Sequence, residues 1–247
     1  MKIVASVQVR MGSERLPGKV MRVIAGKPLL WYLTHRLKQT TVLDELVIAT
    51  PQSRSNDVIA DFCLTNDVKC FRGAEDDVLD RLLQSLRGCG ADIGVVVFGD
   101  NPLVDPRIID EFVDLFSVGE EVDWLGNDLK TTFPAGMEVE VFTREALEDA
   151  AVRFNDPRTR EHGTLAIRQS PDLYRLRNIE AQEYRRRPDL YLGVDTPIDL
   201  DVVESIIEYF GDDTSFSLED IIRFLDGNPG ISKKNEKIPR RWRKYRA

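Results

Sequence analysis

Three short apolar runs, each bounded by polar or turn-forming residues, set the strongest limit on how this chain can fold. They cover residues 2–9, 45–50 and 93–98 and are rich in Val and Ile. Such runs are typical of strands that are buried on both faces of a parallel sheet. Apolar residues follow helical spacing at residues 28–39, 55–65 and 78–86. The alternation predicts an α/β fold, with an open, mostly parallel sheet and helices on both faces.

The second half of the chain is less regular. We predict half-exposed strands at residues 138–142 and 173–178, and helices at residues 199–210 and 217–225. The last of these begins with Ser217 and has Asp220 three residues later, a capping pattern. There is no internal repeat and no long linker. The prediction is a single domain with a small antiparallel extension, covering residues 1–228, followed by a basic tail at residues 229–247.

Length and composition exclude several classes of protein. A chain of 247 residues that is 42% hydrophobic builds a sizeable core, which excludes disordered and collagen-like classes. No apolar run approaches the roughly 18 residues of a membrane span, and the strand-like start lacks a signal core. Cys63, Cys70 and Cys89 lack metal-ligand spacing, and there are two histidines. We therefore expect no membrane span, no zinc site and a reducing, cytoplasmic location.

The charge is divided unevenly along the chain. The net charge is −8, but residues 232–247 carry +7, which leaves −15 for the rest. An acidic body argues against a nucleic-acid-binding protein, whose affinity comes mainly from phosphate contacts. The tail reads either as a solvated, partly disordered end or as a contact with phosphate, an acidic surface or another subunit. Its candidate contact residues are Arg240, Arg241, Trp242, Arg243, Lys244, Tyr245 and Arg246.

The loop after the first predicted strand carries the most chemical information. It contains Arg10, Arg15 and Lys19, together with the glycines Gly12 and Gly18. Glycines let backbone N–H groups approach a ligand, and three cations neutralise much of a triphosphate. The spacing is not that of a Walker A loop, because five residues separate the glycines and no Ser or Thr follows the lysine. A dinucleotide-binding glycine pattern is also absent after this strand.

The loop RMGSERLPGK, at residues 10–19, resembles the signature loop of the cytidylyltransferases that activate acidic sugars. This family includes CMP-Kdo synthetase and acylneuraminate cytidylyltransferase, and the likeness is greatest to its spore-coat-polysaccharide type. Further blocks match in order: IAGKPLL, FRGAEDDVLDR, GDNPLVDP, EVEVF, REH and VDTPIDL. The resemblance runs from residue 2 to about residue 210. It implies the Rossmann-like fold of nucleotide-diphospho-sugar transferases.

The resemblance assigns the first loop to the triphosphate of CTP. Arg10, Arg15 and Lys19 match the cationic positions of the family, and backbone or hydroxyl contacts come from Gly12 and Ser13. The nucleotide-binding residues expected on this basis are Val9, Arg10, Met11, Gly12, Ser13, Arg15, Lys19, Arg72 and Phe98. Arg10, Lys19 and Asp100 are the expected catalytic residues.

Two carboxylates stand at predicted strand ends. Asp100 follows the apolar run at residues 93–98, and Asp195 follows a shorter run at residues 191–194. Each is also compatible with a turn or helix-capping role. Nucleotidyl transfer needs a cation to offset phosphate charge, and Mg²⁺ prefers carboxylate oxygens. In the family the matching pair binds one ion, so we expect Asp100 and Asp195 to bind Mg²⁺.

Base recognition is where the chain departs from the family pattern. CMP-Kdo synthetases carry a Gln that approaches cytosine two residues before the metal-binding Asp, and this chain has Phe98. An aromatic ring stacks on a base but does not read its edge, so backbone groups of residues 7–9 or other side chains would select the base. Arg72 reads equally as a nucleotide contact and as a structural ion pair. The carboxylates Asp77 and Asp80 read as structural, with Arg81 supporting the block.

The acceptor site is expected around residues 160–162. Arg160, Glu161 and His162 match the EH block of the family, whereas His35 in a predicted helix reads as structural. Glu138 and Glu140 alternate onto one face of a predicted strand, so either is a candidate for contact with an acceptor hydroxyl. The loop at residues 133–137 resembles the family loop that faces the sugar. Asp128 is a weaker acceptor candidate.

Together these features predict a cytoplasmic, Mg²⁺-dependent enzyme that transfers CMP from CTP to an acidic keto-sugar and releases pyrophosphate. The expected small-molecule partners are CTP and the sugar, and the family suggests a homodimer. One alternative keeps the fold but uses another nucleotide, such as GTP, or a phosphate or phosphonate acceptor. Another is a nucleotide-binding protein without turnover, against which the two carboxylates argue. A third is an RNA- or membrane-surface protein that acts through the tail.

Overall fold

The computed structural model describes residues 1–240, and one seven-stranded sheet forms its centre. The strands of this sheet are β1 Ile3–Gln8, β4 Glu45–Pro51, β5 Lys69–Gly73, β6 Ile93–Phe98, β7 Trp124–Gly126, β8 Glu140–Thr143 and β9 Leu176–Asn178. A separate antiparallel ribbon pairs β2, Val23–Ile24, with β3, Lys27–Pro28. The order across the sheet is β5-β4-β1-β6-β8-β7-β9.

The pairing confirms the predicted α/β class. Strands β5, β4, β1 and β6 are parallel neighbours, and β9 is parallel to β7. Strand β8 pairs antiparallel with both β6 and β7, so it alone among the described strands of this sheet runs against the others. The register aligns Gln8 with Phe98, which places the carboxyl ends of β1 and β6 side by side. Ligands of such sheets bind at this edge.

Helices cover both faces of the sheet. They are α1 Leu29–Leu37, α2 Asp57–Thr65, α3 Val78–Gly88, α4 Pro106–Ser117, α5 Arg144–Arg153, α6 Pro157–Arg160, α7 Leu165–Arg168, α8 Pro197–Phe210, α9 Leu218–Gly227 and α10 Pro229–Ser232. Helices α1, α2, α4, α8 and α9 pack on one apolar cluster, and α3, α5 and α7 pack on the other. Because the buried strands contribute to both clusters, their apolar runs are continuous rather than alternating.

Three predicted strands are shorter than expected or absent. The strand at residues 138–142 begins only at Glu140, because the Val139 N–H and the Met137 carbonyl bind the side-chain amide of Asn127 instead of a neighbouring strand. The strand at residues 173–178 begins at Leu176 after a turn. Residues 191–194 form no strand, since their N–H groups bind loop carbonyls, as the Val194 N–H does at Asp100. Local polar bonds replace the sheet ladder in these segments.

The predicted tail is only partly solvated. Asn235 and Arg240 are buried, contrary to the expectation of a solvated end, because both bind groups beneath the candidate site. The predicted contacts of residues 241–246 lie outside the described residues. Within residues 1–240, no helix has the length and apolar character needed to cross a membrane. The division at residue 228 stays a prediction.

Candidate active site

A cleft opens at the carboxyl edge of the sheet, where β1 and β6 end. It has an inner lobe of about 580 Å³ and a loop lobe of about 320 Å³. Both lobes share the strand-end residues Gln8, Val9, Phe98 and Asp100. A Cβ atom at Gly99 would lie 2.2 Å from Val9 Cγ1, so glycine permits the close approach of the two strand ends. This approach brings Asp100 under the first loop.

The first loop forms the outer wall of the loop lobe. Its lining residues are Arg10, Gly12, Ser13, Glu14, Arg15 and Lys19. The Met11 carbonyl accepts bonds from the N–H groups of Ser13 and Gly18, both at 2.9 Å. Gly18 has φ +68°, the left-handed conformation that favours glycine, which lets the loop fold back on itself. Met11 was expected among the nucleotide-binding residues, but it does not line the cleft. Its N–H donates to the Asn56 side chain, and its own side chain packs on the core.

Lys19 joins the two predicted metal-binding carboxylates. Its Nζ donates to Asp100 Oδ2 at 2.7 Å, to Asp195 Oδ1 at 3.1 Å and to the Val194 carbonyl at 2.7 Å. Only 12% of the Lys19 side chain is exposed. Burial disfavours its charged form, but the carboxylates outweigh this effect and raise the Lys19 pKa. The ammonium therefore stays charged between two acidic groups that the sequence separates by 95 positions.

The second carboxylate oxygen of Asp195 also has partners within the protein. Its Oδ2 accepts the Tyr191 hydroxyl at 2.6 Å and pairs with Arg15 at 2.8 Å. Burial raises the pKa of Asp195, but the Lys19 and Arg15 charges and the Tyr191 hydrogen bond together lower it below its ordinary value. Burial and the nearby Asp195 charge raise the Tyr191 pKa far above its ordinary range. The hydroxyl therefore remains a donor that fixes the direction of the carboxylate.

The Mg²⁺ that the sequence implies fits these residues. Asp100 and Asp195 already converge on one cation, the Lys19 ammonium, and their oxygens are the hard donors that Mg²⁺ prefers. No third acidic, histidine or cysteine side chain joins them to form a metal cluster in residues 1–240. Mg²⁺ commonly keeps several waters and takes further oxygens from substrate phosphates, so two carboxylates are enough.

The nucleotide side of the cleft contains two polar residues that the sequence reading did not assign to the nucleotide. Gln8 lines both lobes, and its Oε1 accepts Arg81 Nε at 3.0 Å. Arg81 also lines the inner lobe and donates to the Ala74 and Glu75 carbonyls. Phe98 lines both lobes as expected. Signals for Gln8 existed in the sequence, since it is a polar residue at the end of a buried strand.

Arg72 does not line either lobe of the cleft, and its expected nucleotide contact stays a prediction. Its guanidinium pairs with Asp57 at 2.7 Å and donates to the carbonyls of Gln52 and Ser53. These bonds join β5 to the first residue of α2 and to the loop after β4. Of the two readings that the sequence left open, the structural ion pair is the one observed.

On the acceptor side, the expected residues divide into two groups. Glu138, Glu161 and His162 line the inner lobe. Glu140 is fully buried beside this lobe, where its carboxylate accepts bonds from Trp124 Nε1 at 2.8 Å and from the Thr164 hydroxyl. Arg160 pairs with Asp77, the N-cap of α3, and with backbone carbonyls. Glu140 and Arg160 are thus bound to protein groups and do not line the two lobes, and their expected contacts with the acceptor stay predictions.

The structure adds Arg168 to the acceptor side. It pairs with Asp128, and both residues line the inner lobe. Burial disfavours the Arg168 charge, but Glu140 and Asp128 outweigh this and raise its pKa. Burial lowers the pKa of His162 below its ordinary value and so disfavours the charged imidazolium. Sequence patterns missed Arg168 because it ends a four-residue helix within an otherwise apolar segment.

A loop of cations that faces two converging carboxylates at the edge of a parallel sheet defines a nucleotidyltransferase site. The chain belongs to the cytidylyltransferase family, whose model matches residues 4–228. It is therefore a CTP-dependent nucleotidyltransferase. The predicted family resemblance is confirmed.

Three similar proteins place the chain within this family. The spore coat polysaccharide biosynthesis protein SpsF of Bacillus subtilis is 33% identical over 93% of this chain and 96% of its own. A 3-deoxy-manno-octulosonate cytidylyltransferase of Trichlorobacter lovleyi is 34% identical over 47% of this chain and 45% of its own. A solved cytidylyltransferase of Leptospira borgpetersenii superposes with a TM-score of 0.91 and 31% identity, covering 97% of this chain and 100% of its own.

Proposed function

We propose that the protein transfers CMP from CTP to the hydroxyl group of an acidic keto-sugar and releases pyrophosphate. The observation that carries the proposal is the convergence of Lys19, Asp100 and Asp195 directly beneath the cationic first loop. Nucleotidyl transfer requires one site that binds anionic phosphates, a divalent cation and the attacking oxygen, and this arrangement of cations and carboxylates suits all three. Binding alone needs no pair of metal-binding carboxylates, which argues against a regulatory protein without turnover.

The first loop would hold the triphosphate. Arg10, Arg15 and Lys19 offer charge-assisted hydrogen bonds, and Gly12 leaves its backbone open on the cleft side. Asp100 and Asp195 would hold Mg²⁺, which would supply charge neutralisation at the phosphates and favour departure of pyrophosphate. Lys19 would exchange its carboxylate partners for phosphate oxygens when CTP binds. Positioning and charge neutralisation then supply most of the acceleration, and no covalent protein intermediate is needed.

The base would lie over the ends of β1 and β6. Phe98 offers a ring for stacking, while Gln8 and Arg81 place fixed polar atoms in the same cleft. A CTP-selective site requires hydrogen bonds to the base edge, which Phe98 does not provide. We therefore assign edge recognition to Gln8 and Arg81 together with the backbone at Val9.

The acceptor would occupy the inner lobe, between Glu138, Glu161 and His162. Arg168 supplies positive charge on this side for a sugar carboxylate, and the similarity to a 3-deoxy-manno-octulosonate cytidylyltransferase supports an acidic keto-sugar. The similarity to SpsF supports a role in the synthesis of a surface polysaccharide or glycoconjugate. A cytoplasmic location and a homodimer complete the proposal.

A second acceptor class is favoured by one observation. The acceptor side presents Glu138, Glu161 and Asp128 against a single paired arginine, Arg168. This acidic lining suits a neutral or amino sugar better than an anionic acceptor, because the carboxylate of a keto-acid sugar and a phosphate or phosphonate group would both meet like charges there.

Pyrophosphate release distinguishes these acceptors. The purified protein is incubated with Mg²⁺ and CTP, and with a panel of acidic keto-sugars, neutral sugars, amino sugars and sugar phosphates. We expect release with a keto-acid sugar and none with Asp100→Asn. Release with neutral or amino sugars alone would replace the acceptor class and keep the cytidylyl transfer. Preference for a sugar phosphate would overturn the reading of the inner lobe.

A further inference from the structure

The C-terminal segment, residues 233–240, returns to the candidate active site although its composition predicts a solvated end. Its lysines are exposed, but Asn235 and Arg240 are buried, with 2% and 8% of their surfaces accessible. A guanidinium is always charged, so its burial is favourable only where it is paired and hydrogen-bonded. The partners of Arg240 therefore show what the segment does.

Arg240 binds two groups at once. Its two terminal nitrogens donate to the two carboxylate oxygens of Asp199, at 2.9 and 2.8 Å. Its guanidinium carbon lies 3.3 Å from the centre of the Tyr191 ring. Asn235 reinforces both contacts, because its Nδ2 donates to Asp199 Oδ1 at 2.9 Å and to the Tyr191 carbonyl at 3.1 Å. Bidentate pairing and ring stacking both suit arginine and not lysine.

Both partners of Arg240 hold Asp195. Asp199 Oδ2 accepts the backbone N–H groups of Asp195 at 3.2 Å and of Thr196 at 2.8 Å, which fixes the main chain at the start of α8. Tyr191 donates its hydroxyl to the Asp195 carboxylate at 2.6 Å. The C-terminal arginine thus fixes the backbone of Asp195 through one partner and its side chain through the other.

The chain contains a matched case that shows this anchor is more than a helix cap. Helix α9 begins with the same kind of capping box, formed by Ser217 and Asp220. There the carboxylate is 38% exposed, and its partner Arg223 is 78% exposed. The carboxylate of Asp199 is fully buried, as is most of Arg240. A capping box of this kind therefore forms without a buried arginine, and the additional feature at α8 is the adjoining Asp195.

We propose that Arg240 is a positioning residue for Asp195, and that the basic C-terminal segment thereby completes the nucleotide site. The inference rests on the proposed function, in which Asp195 binds the divalent cation that accompanies CTP. Residues outside the ligand shell that orient a metal-binding carboxylate set the affinity for the metal. Arg240 acts on Asp195 through Tyr191 and Asp199 and has no contact with the nucleotide in this account.

The test measures Mn²⁺ binding to the full chain saturated with CTP, by electron paramagnetic resonance, and CTP binding without metal, by calorimetry. We expect Arg240→Ala to weaken Mn²⁺ binding roughly 10- to 100-fold while metal-free CTP affinity changes by less than about twofold. Arg240→Lys keeps the charge but loses the bidentate pairing, so its loss should be intermediate. Arg223→Ala removes the matched ion pair on α9 and should leave both affinities unchanged.

A second variant keeps the proposal testable if Arg240→Ala does not fold. Tyr191→Phe removes the hydroxyl bond to Asp195 and retains the ring under the guanidinium. We expect it to weaken Mn²⁺ binding, and we expect the losses in the Arg240→Lys, Tyr191→Phe double variant to be less than additive. Unchanged Mn²⁺ affinity in a folded Arg240 variant, fully additive losses, or an equal loss of metal-free CTP binding would each overturn the proposal.

The same experiment separates this inference from the proposed function. Asp195→Asn should weaken Mn²⁺ binding in the CTP complex; if it does not, the metal assignment fails and the positioning role fails with it. A wild-type protein that binds Mn²⁺ and CTP but transfers CMP to no sugar would refute only the acceptor assignment. The comparison of Arg240 variants would then still decide the positioning role.

Discussion

Replacing Lys19 with methionine separates the two roles that the structure gives to this side chain. Without nucleotide, its ammonium joins Asp100 and Asp195. Asp195 keeps Arg15 and Tyr191 in the variant, and Asp100 is one-third exposed to water. We therefore expect a loss of about 3 kcal/mol in the free energy of unfolding, the lower end of the range for breaking a buried ion pair.

Binding to phosphate should show a separate loss in the same variant. A hydrogen bond to a charged group contributes about 1.5–3 kcal/mol, which corresponds to a roughly 10- to 150-fold weaker Kd for CTP. CMP has no β- or γ-phosphate, so its Kd should change little. Mg²⁺ should also raise the thermal midpoint of Lys19→Met more than that of the wild type, because the carboxylates no longer hold the competing ammonium.

Calorimetry of CTP and CMP, and thermal unfolding with and without Mg²⁺, measure these effects. Arg223→Ala serves as a control for loss of an exposed ion pair, which contributes at most about 1 kcal/mol. Equal losses of CTP and CMP affinity would refute the placement of Lys19 at the outer phosphates. An unchanged free energy of unfolding would refute its role as a bridge.

Further predictions concern the carboxylates and histidines. Asp100→Asn should abolish pyrophosphate release and still unfold cooperatively; near-normal turnover would remove Asp100 from the metal site. Glu140→Gln should lower the free energy of unfolding by about 2 kcal/mol with little change in kcat, whereas Glu138→Gln should raise the acceptor KM about tenfold with little loss of stability. The reverse result would assign the acceptor contact to Glu140 and the structural role to Glu138. Because burial lowers the pKa values of His35 and His162 below 6.5, the unfolded chain binds protons first and stability should fall as pH drops through that value. His162→Gln should reduce this slope in pH-dependent denaturation, and an unchanged slope would contradict the lowered pKa of His162.

The parts of the site that sequence reasoning placed together lie at ends of parallel strands or on the first loop. Lys19 and Asp100 belong to this group, because the carboxyl ends of adjacent parallel strands necessarily share one edge of the sheet. Asp195 also lies at this edge of the sheet. The segment before it was predicted as a strand, but the structure shows a loop whose Val194 N–H donates to the Asp100 carbonyl. The position was therefore right although the local structure was not.

Sequence periodicity does not show how deeply the side chains that follow the turn at Gly136 lie. Glu138 lines the inner lobe, whereas the Glu140 carboxylate lies deeper and accepts bonds from Trp124 and Thr164, and strand alternation does not distinguish these two depths. A Cβ atom at Gly136 would lie 2.6 Å from the Gly193 N atom, and its φ of +104° also requires glycine. Such a close approach between distant segments has no periodic signal in the sequence.

The sequence also did not predict which charged side chains bind backbone groups of the folded chain. Arg72 and Arg160 resemble ligand-binding arginines in sequence, yet their partners are loop carbonyls and carboxylates that only the folded chain brings near. Arg240 is the opposite case. It lies in a segment whose charge density predicts solvation, and its burial follows from the position of Asp199 at the start of α8.

Nucleotide selectivity tests the central claim most directly. Calorimetry with CTP, UTP, GTP and ATP in the presence of Mg²⁺, repeated with Asp100→Asn, measures it in one series. We expect selective binding of CTP by the wild type and much weaker Mg²⁺-dependent binding by the variant. Preference for a purine nucleotide, or an affinity that Asp100→Asn does not change, would contradict it.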